Sequence, residues 1–240
     1  MARLRIVLVE PREAGNVGAV ARVMKNFGFA ELWIVGHHPT LLPVSGWWAS
    51  GADDVLATAR FVPTLQEAIG DAHLTVATTS MRGRTTATSF NPRTLGAHVA
   101  TMEEEQLVAM VFGREDSGLT REEVVLCQHT ASIPTNASFP TMNLAQSVCV
   151  FCYELSSIVP VPAGRVLPTA DLLERLHQRA QQLLLDTGFL RPGYPARLYD
   201  ELRNLLARAD VDEREVTILL GIIRQMEWAL RRSDSSDARG

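Results

Sequence analysis

The feature that most constrains this chain is an alternation of short apolar runs with helix-forming patterns over its first 157 residues. The apolar runs are almost continuous in valine, isoleucine and leucine, which is typical of strands in a sheet that is covered on both faces. The alternation therefore predicts a doubly wound α/β domain. The predicted strands are 4–10, 31–36, 73–79, 107–113 and 130–135, with helices near 16–27, 64–70, 120–127 and 143–157.

A change in composition follows the α/β pattern and divides the chain. Residues 158–170 contain three prolines and a glycine without periodicity, as a linker does. Beyond them, leucines recur at helical spacing, and each apolar stripe needs a partner surface, so 171–232 is predicted to be a small helical domain. The predicted domains are therefore 1–157 and 171–232, and the tail 233–240 is expected to be disordered.

Composition limits the class of protein. A hydrophobic fraction of 46% and a charged fraction of 21% are those of a soluble globular protein, and we expect a cytoplasmic location without membrane association. Cys149 and Cys152 form a C-x-x-C inside a helical pattern, without a second pair, so no metal site is predicted. The net charge of −4 gives no support to nucleic-acid binding through overall charge.

The turn after the first strand carries the first candidate site. Gly15 and Gly18 punctuate this turn, but the G-x-G-x-x-G of a dinucleotide site is absent, which argues against a nicotinamide enzyme. Asn16 is predicted to cap the following helix. Arg22 lies opposite the apolar stripe of that helix, and spacing alone favours an ordinary solvent-exposed role for it.

A second candidate site follows the third predicted strand, in residues 76–93. Small hydroxyl residues lead into Arg82 and Arg84, which could hold a phosphate at the carboxyl end of a strand. An ordinary polar loop explains this stretch equally well.

A third candidate site follows the fourth predicted strand. Arg114 and Glu115 stand at the end of the strand, and Thr120 and Glu123 have the spacing of a capping box. Glu123 therefore needs no catalytic role, whereas Arg114 and Glu115 have no such local explanation.

A fourth polar stretch, 132–151, leads from the last predicted strand into a buried helix that Asn143 could cap. The carboxyl ends of parallel strands meet at one edge of a sheet, so these stretches are expected to converge. None of them supplies a Ser-His-Asp set, a carboxylate pair or a metal cluster. By elimination, the site is expected to bind a cofactor that carries its own reactivity.

Taken together, three segments resemble a known family. The segments are GNVGAVARVMKNFGF (15–29), LVAMVFGREDSGLT (107–120) and SIPTNASFPTMNLAQSV (132–148), which resemble the motifs of the SpoU-type branch of the SPOUT RNA methyltransferases. Residues 183–208 and 215–230 resemble the helical extension of the TrmJ-type tRNA 2′-O-methyltransferases. The resemblance implies a SPOUT-type parallel sheet with a C-terminal trefoil knot, a small C-terminal helical extension, and a homodimer.

The resemblance also implies S-adenosyl-L-methionine as the cofactor, S-adenosyl-L-homocysteine as the product, and roles for individual residues. Gly113 would let the backbone approach the cofactor, and the other implied cofactor contacts are Thr78, Thr79, Ser80, Ile133, Pro140, Thr141 and Met142. The residues at the polar active-site positions of the family are Asn16, Arg22, Glu115 and Asn143. RNA contacts are expected from Arg12, Arg82, Arg84 and Arg114.

The implied reaction is 2′-O-methylation of tRNA, at nucleotide 32 of the anticodon loop, on cytidine, uridine or both. Because arginine stays protonated and is a poor base, we hypothesise that Arg22 stabilises the developing alkoxide. Orientation of a neighbouring phosphate that accepts the proton is the alternative role. The alternative functions are a ribosomal-RNA 2′-O-methyltransferase of the same fold and an RNA-binding protein without catalysis.

Overall fold

A computed structural model describes residues 2–39, 48–80, 90–161, 164–191, 193 and 197–237. The chain divides into two compact units, Met1–Arg165 and Val166–Gly240, and each is described by itself. In the described ranges, none of the helices combines the length and the apolar character that crossing a membrane requires.

The described part of the first unit is a parallel sheet of six strands with helices between them. The strand order is β3-β2-β1-β5-β4-β6. The elements are β1 (Arg3–Val9), α1 (Ala14–Asn26), β2 (Glu31–Val35), α2 (Asp53–Ala57), β3 (Arg60–Val62), α3 (Leu65–Ile69), β4 (Leu74–Thr78), α4 (Pro92–Val99), β5 (Leu107–Phe112), α5 (Arg121–Leu126), β6 (His129–Ala131) and α6 (Leu144–Ser156).

Burial explains the arrangement of the sheet. Every residue of the central strand β5 is buried, as expected for a strand with helices on both of its faces. On α1, the buried stripe is Val17, Val20, Ala21 and Met24, each 0% exposed, so this helix is fixed by its apolar face. The prediction of an α/β domain with a covered parallel sheet is therefore confirmed.

The predicted strands and helices are present, with differences at their ends. The strand predicted at 130–135 is His129–Ala131 and is followed by Pro134, which has no backbone N–H for a sheet. Asn143 and Thr120 cap their helices as predicted. The prediction that Asn16 caps α1 is wrong, because α1 begins at Ala14 and Asn16 lies within the first turn.

Three short elements were not predicted, namely α2, β3 and α4. Helix α4 has a local signal, since Asn91 and Thr94 form a capping box and Pro92 is the first helical residue. The preceding sequence is rich in threonine and indicates a loop, so the start of this helix is hard to recognise from the sequence. The three-residue β3 has no buried residue, so it lacks the apolar run that marks the other strands.

Strand β6 has backbone partners on both sides. It pairs with β4 on one side, where Thr78 lies opposite Ala131. On its other side, the Phe90 amide donates to the Thr130 carbonyl at 3.0 Å and the Ser132 amide donates to the Phe90 carbonyl at 3.0 Å. A segment that follows β4 in the chain therefore lies beyond β6 in space.

The described part of the second unit contains α7 (Ala170–Asp186), α8 (Arg197–Ala209) and α9 (Glu213–Asp237). Leu173, Leu176 and Leu183 of α7 pack with Val216 and Ile223 of α9 in one apolar cluster. This confirms the predicted C-terminal helical unit. Helix α9 extends to Asp237, beyond the predicted end at 232.

Candidate active site

The loops that follow β1, β5, β4 and β6 meet at the carboxyl edge of the sheet, since these four strands are neighbours. The three segments that carry the motif resemblance all reach this edge. Local caps and strand ends thus place residues that are more than a hundred positions apart in the sequence next to one another.

A hydrogen-bonded chain of side chains joins the three motif segments. The Asn143 Nδ2 donates to the Asn16 Oδ1 at 3.0 Å, and the Asn16 Nδ2 donates to the Glu115 Oε1 at 2.9 Å. The Asn143 Oδ1 accepts from the backbone N–H groups of Ala145 and Gln146, which caps α6 and leaves Nδ2 to point toward Asn16. Each amide in the chain therefore has a fixed orientation.

Glu115 binds the backbone directly before α1. Glu13, at the N-cap of α1, makes no side-chain cap, and the first turn has no acidic residue. Instead, Glu115 accepts from the backbone N–H groups of Arg12 at 2.9 Å and Glu13 at 3.2 Å. A carboxylate at this position satisfies open N–H donors and the positive end of the helix dipole.

The ionisation of Glu115 follows from these contacts. Burial raises its pKa, but the hydrogen bonds from the Arg12 backbone and the Asn16 side chain outweigh burial, so the pKa lies below its ordinary value. A carboxylate that is ionised and already bound by three donors is poorly placed to accept a proton from a substrate. Its geometry fits a positioning role.

Arg22 differs from the other polar residues predicted for the site. It lies on α1, its side chain is exposed, and its guanidinium makes no hydrogen bond or ion pair with residues that the structure describes. Among the described residues, no hydrogen bond or ion pair joins it to Asn16, Glu115 or Asn143. Its five donors are therefore available to a substrate.

The loops predicted to hold the cofactor lie at the same edge and carry uncharged side chains. The Thr78 hydroxyl donates to the Val111 carbonyl at 2.9 Å, and the Thr79 amide donates to the Ala131 carbonyl at 2.9 Å, so both residues are tied to the sheet. The Thr135 hydroxyl donates to the Pro140 carbonyl at 3.1 Å. The remaining predicted positions range from exposed to buried: Ser80 and Thr141 exposed, Ile133 and Met142 half-buried, Pro140 buried. An uncharged, backbone-rich lining fits an adenine and its ribose.

Packing within its own loop explains why position 113 is a glycine. A Cβ at this position would lie 2.2 Å from the Gly118 carbonyl carbon and 2.3 Å from the Leu119 nitrogen. The 113–118 loop folds back on itself so closely that only glycine fits. Approach to a ligand is not needed to explain this glycine.

The expected RNA contacts fall into three groups. Arg12 is 58% exposed and pairs with the exposed Asp116 at 2.6 Å, so its charge remains accessible. Arg82 and Arg84 lie outside the described residues. Arg114 has a side chain that is only 14% exposed and is bound by Glu10 and Glu123, so its contact with RNA stays a prediction. Four of its five N–H donors already bind groups of the protein, which argues against an RNA contact.

Glu10 is the residue that sequence reasoning missed. It has a φ of 45°, which is uncommon for a residue other than glycine, and it accepts from the Arg114 Nε at 2.7 Å. Its partner is 104 positions away, so no local pattern in the sequence reveals the pair. Glu123 was assigned to capping alone, and it does cap α5, but it also binds Arg114.

Comparison with known proteins agrees with this geometry. The family described as SpoU rRNA Methylase matches residues 3–153, and the family described as tRNA methyltransferase TrmJ, C-terminal domain, matches residues 171–237. The tRNA (cytidine/uridine-2′-O-)-methyltransferase TrmJ of Cronobacter sakazakii is 37% identical over 240 residues, which cover 95% of this chain and 97% of the relative.

Solved structures give the same result. The crystal structure of TrmJ from Z. mobilis ZM4 matches with a TM-score of 0.81 and 31% identity, covering 94% of this chain and 100% of that one. The SpoU methyltransferase AviRb from Streptomyces viridochromogenes, solved in complex with the cofactor AdoMet, shares the fold at 22% identity, with a TM-score of 0.51 over 64% of this chain and 59% of that one. The chain therefore belongs to the SpoU methylase family, and it carries the C-terminal domain of the TrmJ type.

Proposed function

We propose that this protein is an S-adenosyl-L-methionine-dependent tRNA 2′-O-methyltransferase that acts on nucleotide 32 of the anticodon loop. The observation that carries the proposal is the hydrogen-bonded chain from Asn143 through Asn16 to Glu115, which draws the three motif segments into one site. Relatives that match almost the whole chain are named as tRNA (cytidine/uridine-2′-O-)-methyltransferases, which supports tRNA over ribosomal RNA.

The cofactor would lie against the loops after β4, β5 and β6. The uncharged positions Thr78–Ser80, Ile133 and Pro140–Met142 would hold the adenosine part, largely through backbone groups, with Gly113 at the floor of the loop after β5. S-adenosyl-L-methionine supplies an electrophilic methyl group when it is bound. The SpoU relative AviRb, solved with AdoMet, supports this assignment.

The task left to the protein is to align and activate the ribose 2′-hydroxyl. Arg22 would act on this hydroxyl, because its exposed guanidinium has no partner among the described residues. A permanently protonated guanidinium is a poor base, but it stabilises negative charge that develops on the 2′-oxygen. Substituting Arg22→Lys keeps the charge and removes the planar fork. We expect a clear loss in the single-turnover rate, and a nearly unchanged rate would disprove the need for the fork.

RNA would be held by arginines around this edge. The proposed RNA contacts include Arg12, whose side chain is exposed. Arg82 and Arg84, which lie outside the described residues, complete the proposed set. A local cluster of arginines can bind RNA although the net charge of the chain is −4.

We also propose the trefoil knot that the family resemblance implies. Its support is the position of β6 between β4 and Phe90, because the connection that leaves β4 reaches the far side of β6. The later strand would then pass through an earlier loop, which is rare among folds. A crystal structure that traces residues 81–89 tests this, and a connection that does not pass around β6 would contradict it.

The homodimer implied by the family is also part of the proposal. Tyr153 of α6 is 59% exposed and packs edge-on against Phe27, 6.1 Å between ring centroids, at the end of α1. An exposed tyrosine that packs on a half-buried phenylalanine is suited to an interface between two copies. Sedimentation velocity should give twice the mass of one chain, and a monomer at micromolar concentration would contradict the dimer.

The function is tested by transfer of a labelled methyl group to unmodified tRNA and rRNA transcripts, followed by mapping of the labelled nucleotide. We expect label at nucleotide 32, and its loss when that nucleotide has a 2′-deoxy sugar. Label only in rRNA would show that the substrate is rRNA and not tRNA, with the same reaction. Binding of S-adenosyl-L-homocysteine without label in either RNA would favour a protein that binds RNA without catalysis.

A further inference from the structure

An ion cluster around Arg114 joins three elements at the carboxyl edge of the sheet. The Arg114 Nε donates to the Glu10 Oε2 at 2.7 Å, and its two Nη atoms donate to the two carboxylate oxygens of Glu123 at 3.0 Å each. Glu10 follows β1, Arg114 follows β5, and Glu123 belongs to α5. The cluster therefore fixes the ends of two central strands relative to a helix.

We propose that Arg114 is a positioning residue for methyl transfer. By holding the loop after β5, it keeps Glu115 against the N-terminus of α1, and through Glu115 it orients Asn16 and Asn143. This inference rests on the proposed methyltransferase function and adds to it a residue that touches neither substrate nor cofactor.

Four of the five N–H donors of the Arg114 guanidinium bind groups of the protein. Its Nε serves Glu10, its fork is bidentate on Glu123, and its Nη1 also donates to the Gly118 carbonyl at 3.3 Å. Bidentate arginine–carboxylate pairs are among the strongest hydrogen-bonded contacts in proteins. A phosphate that approached Arg114 would have to displace one of these carboxylates.

The loop that Arg114 anchors is short and closed. The Gly118 amide donates to the Arg114 carbonyl at 2.9 Å, and the Arg114 amide donates to the Gly118 carbonyl at 3.2 Å. Glu115 is the first residue inside this closed loop. A shift of the Arg114 backbone therefore moves the carboxylate that binds α1.

Arg114 also affects the backbone amides that donate to Glu115. Glu10 has a φ of 45°, and such a conformation costs on the order of 1–3 kcal/mol unless its surroundings hold it. Two contacts hold it, the Arg114 ion pair and a 2.9 Å hydrogen bond from its amide to the Val35 carbonyl. Residues 11–13 follow directly, and the Arg12 and Glu13 amides are the ones that Glu115 accepts from. Arg114 thus positions both the carboxylate and its donors.

The test compares Arg114→Gln, which removes the charge, with Arg114→Lys, which keeps the charge without the fork. The full chain is used, and thermal unfolding identifies any variant that does not fold. The exposed Arg12→Gln is the control for an RNA contact. Three quantities are measured: the single-turnover rate at saturating tRNA and S-adenosyl-L-methionine, the salt dependence of tRNA binding, and hydrogen exchange of the Arg12 and Glu13 amides.

For both Arg114 variants we expect a rate lowered by about 100-fold, since a small misplacement of reacting groups has effects of this size. We also expect faster exchange of the two amides and an unchanged salt dependence of tRNA binding. Arg12→Gln should instead lower the slope of log K against log salt by about 1.

Three outcomes would overturn the proposal. A lowered salt slope with a normal rate at saturation would make Arg114 an RNA contact. A normal rate in variants that lose thermal stability would make the cluster merely structural. Unchanged amide exchange would show that Arg114 does not hold the Glu115 contact. If the wild-type protein fails to methylate tRNA, the proposed function fails, whereas the amide exchange still reports whether Arg114 holds the Glu115 contact.

Discussion

Arg5 and Arg114 lie on the same sheet, and each is bound by two carboxylates, yet they occupy opposite ends. Arg5 binds Glu31 at 2.7 Å and Asp71 at 2.6 Å, and its guanidinium lies 4.0 Å from the centre of the Trp33 ring. Only 2% of the Arg5 side chain is exposed. Glu31 begins β2 and Asp71 precedes β4, so the Arg5 cluster belongs to the amino ends of the strands.

Arg114 has the same chemistry at the carboxyl ends, with Glu10 and Glu123 as its partners. The elements that it joins continue into the loops of the candidate site. The partners of Arg5 are instead followed by the rest of strand β2 and by strand β4. The end of the parallel sheet at which an ion cluster lies is therefore expected to decide its role. We expect the Arg5 cluster to set stability and the Arg114 cluster to set the geometry of the site.

The largest expected effect comes from Arg5→Met, which replaces a buried cation with an apolar chain. We expect the free energy of unfolding to fall by about 3 kcal/mol, near the lower end for a broken buried pair, because Asp71 is 63% exposed and can be rehydrated. Urea denaturation measures this loss. The control is Arg3→Met, whose 61% exposed side chain also pairs with Glu31 and should cost about 1 kcal/mol or less.

The single-turnover rate of folded Arg5→Met should equal that of the wild type, measured well below its unfolding temperature. A rate that falls along with the stability would break the contrast between the two ends of the sheet, because the amino-end cluster would then also govern the site.

The next effect is on the rate and comes from Glu115→Gln. A glutamine keeps the shape of the side chain but loses the negative charge at the N-terminus of α1. Its NH₂ group is a donor and cannot accept from Arg12, Glu13 and Asn16, which all donate to Glu115. We expect the single-turnover rate to fall by about 100-fold with little change in tRNA affinity. A variant that loses tRNA binding but reacts normally at saturation would place Glu115 in the RNA contact instead.

The sequence predicts the edge of the sheet where the site lies, but not how its side chains pair. Near-continuous apolar runs mark buried strands, and polar residues at their ends mark the edge, so the convergence of the motif segments follows from local patterns. Capping rules are local too, and they succeed for Asn143, whose partners are two and three residues away. They fail for Asn16, because a carboxylate 99 positions away occupies the start of α1.

Arg114 illustrates the same limit. An arginine at a strand end near a predicted phosphate-rich ligand is reasonably expected to bind RNA, and its exposure cannot be known from the sequence. Its two partners lie 104 positions before it and 9 positions after it, and only the fold brings all three together. The unusual φ of Glu10 has no signal either, since glutamate is not a residue that favours it.

A smaller loss of stability than in Arg5→Met is expected from Gly113→Ala, which disturbs the Arg114 loop without changing its charges. The new Cβ would lie 2.2 Å from the Gly118 carbonyl carbon, so the backbone must shift, and we expect a loss of about 2 kcal/mol in unfolding free energy. The rate should fall as it does in Arg114→Gln. The control is Gly96→Ala in α4, where the nearest neighbour of a Cβ is 3.7 Å away. If Gly113→Ala reacts at the wild-type rate, the closed loop does not position Glu115.

The smallest expected effect is a difference in the pH at which each of the two clusters stops contributing to stability. Burial raises the pKa of Glu123, but the hydrogen bonds from Arg114 and the Thr120 backbone outweigh it, so the pKa lies below its ordinary 4.5. For Asp71, the hydrogen bond from Arg5 holds the pKa below its ordinary 3.8. A carboxylate with a lowered folded pKa contributes stability that is complete above its unfolded pKa and disappears as the pH falls through the folded value.

The stability difference between wild type and Arg114→Gln should therefore stay nearly constant from pH 7 to about pH 6 and shrink as the pH falls through about 4.5, by about 1 kcal/mol or less. For Arg5→Met the difference should begin to shrink only below about 3.8. Urea unfolding at a series of pH values measures both curves. A difference that already declines between pH 7 and about pH 6 would mean that a group other than these carboxylates governs the clusters, since carboxylates with ordinary pKa values of 4.5 and 3.8 stay almost fully ionised in that range.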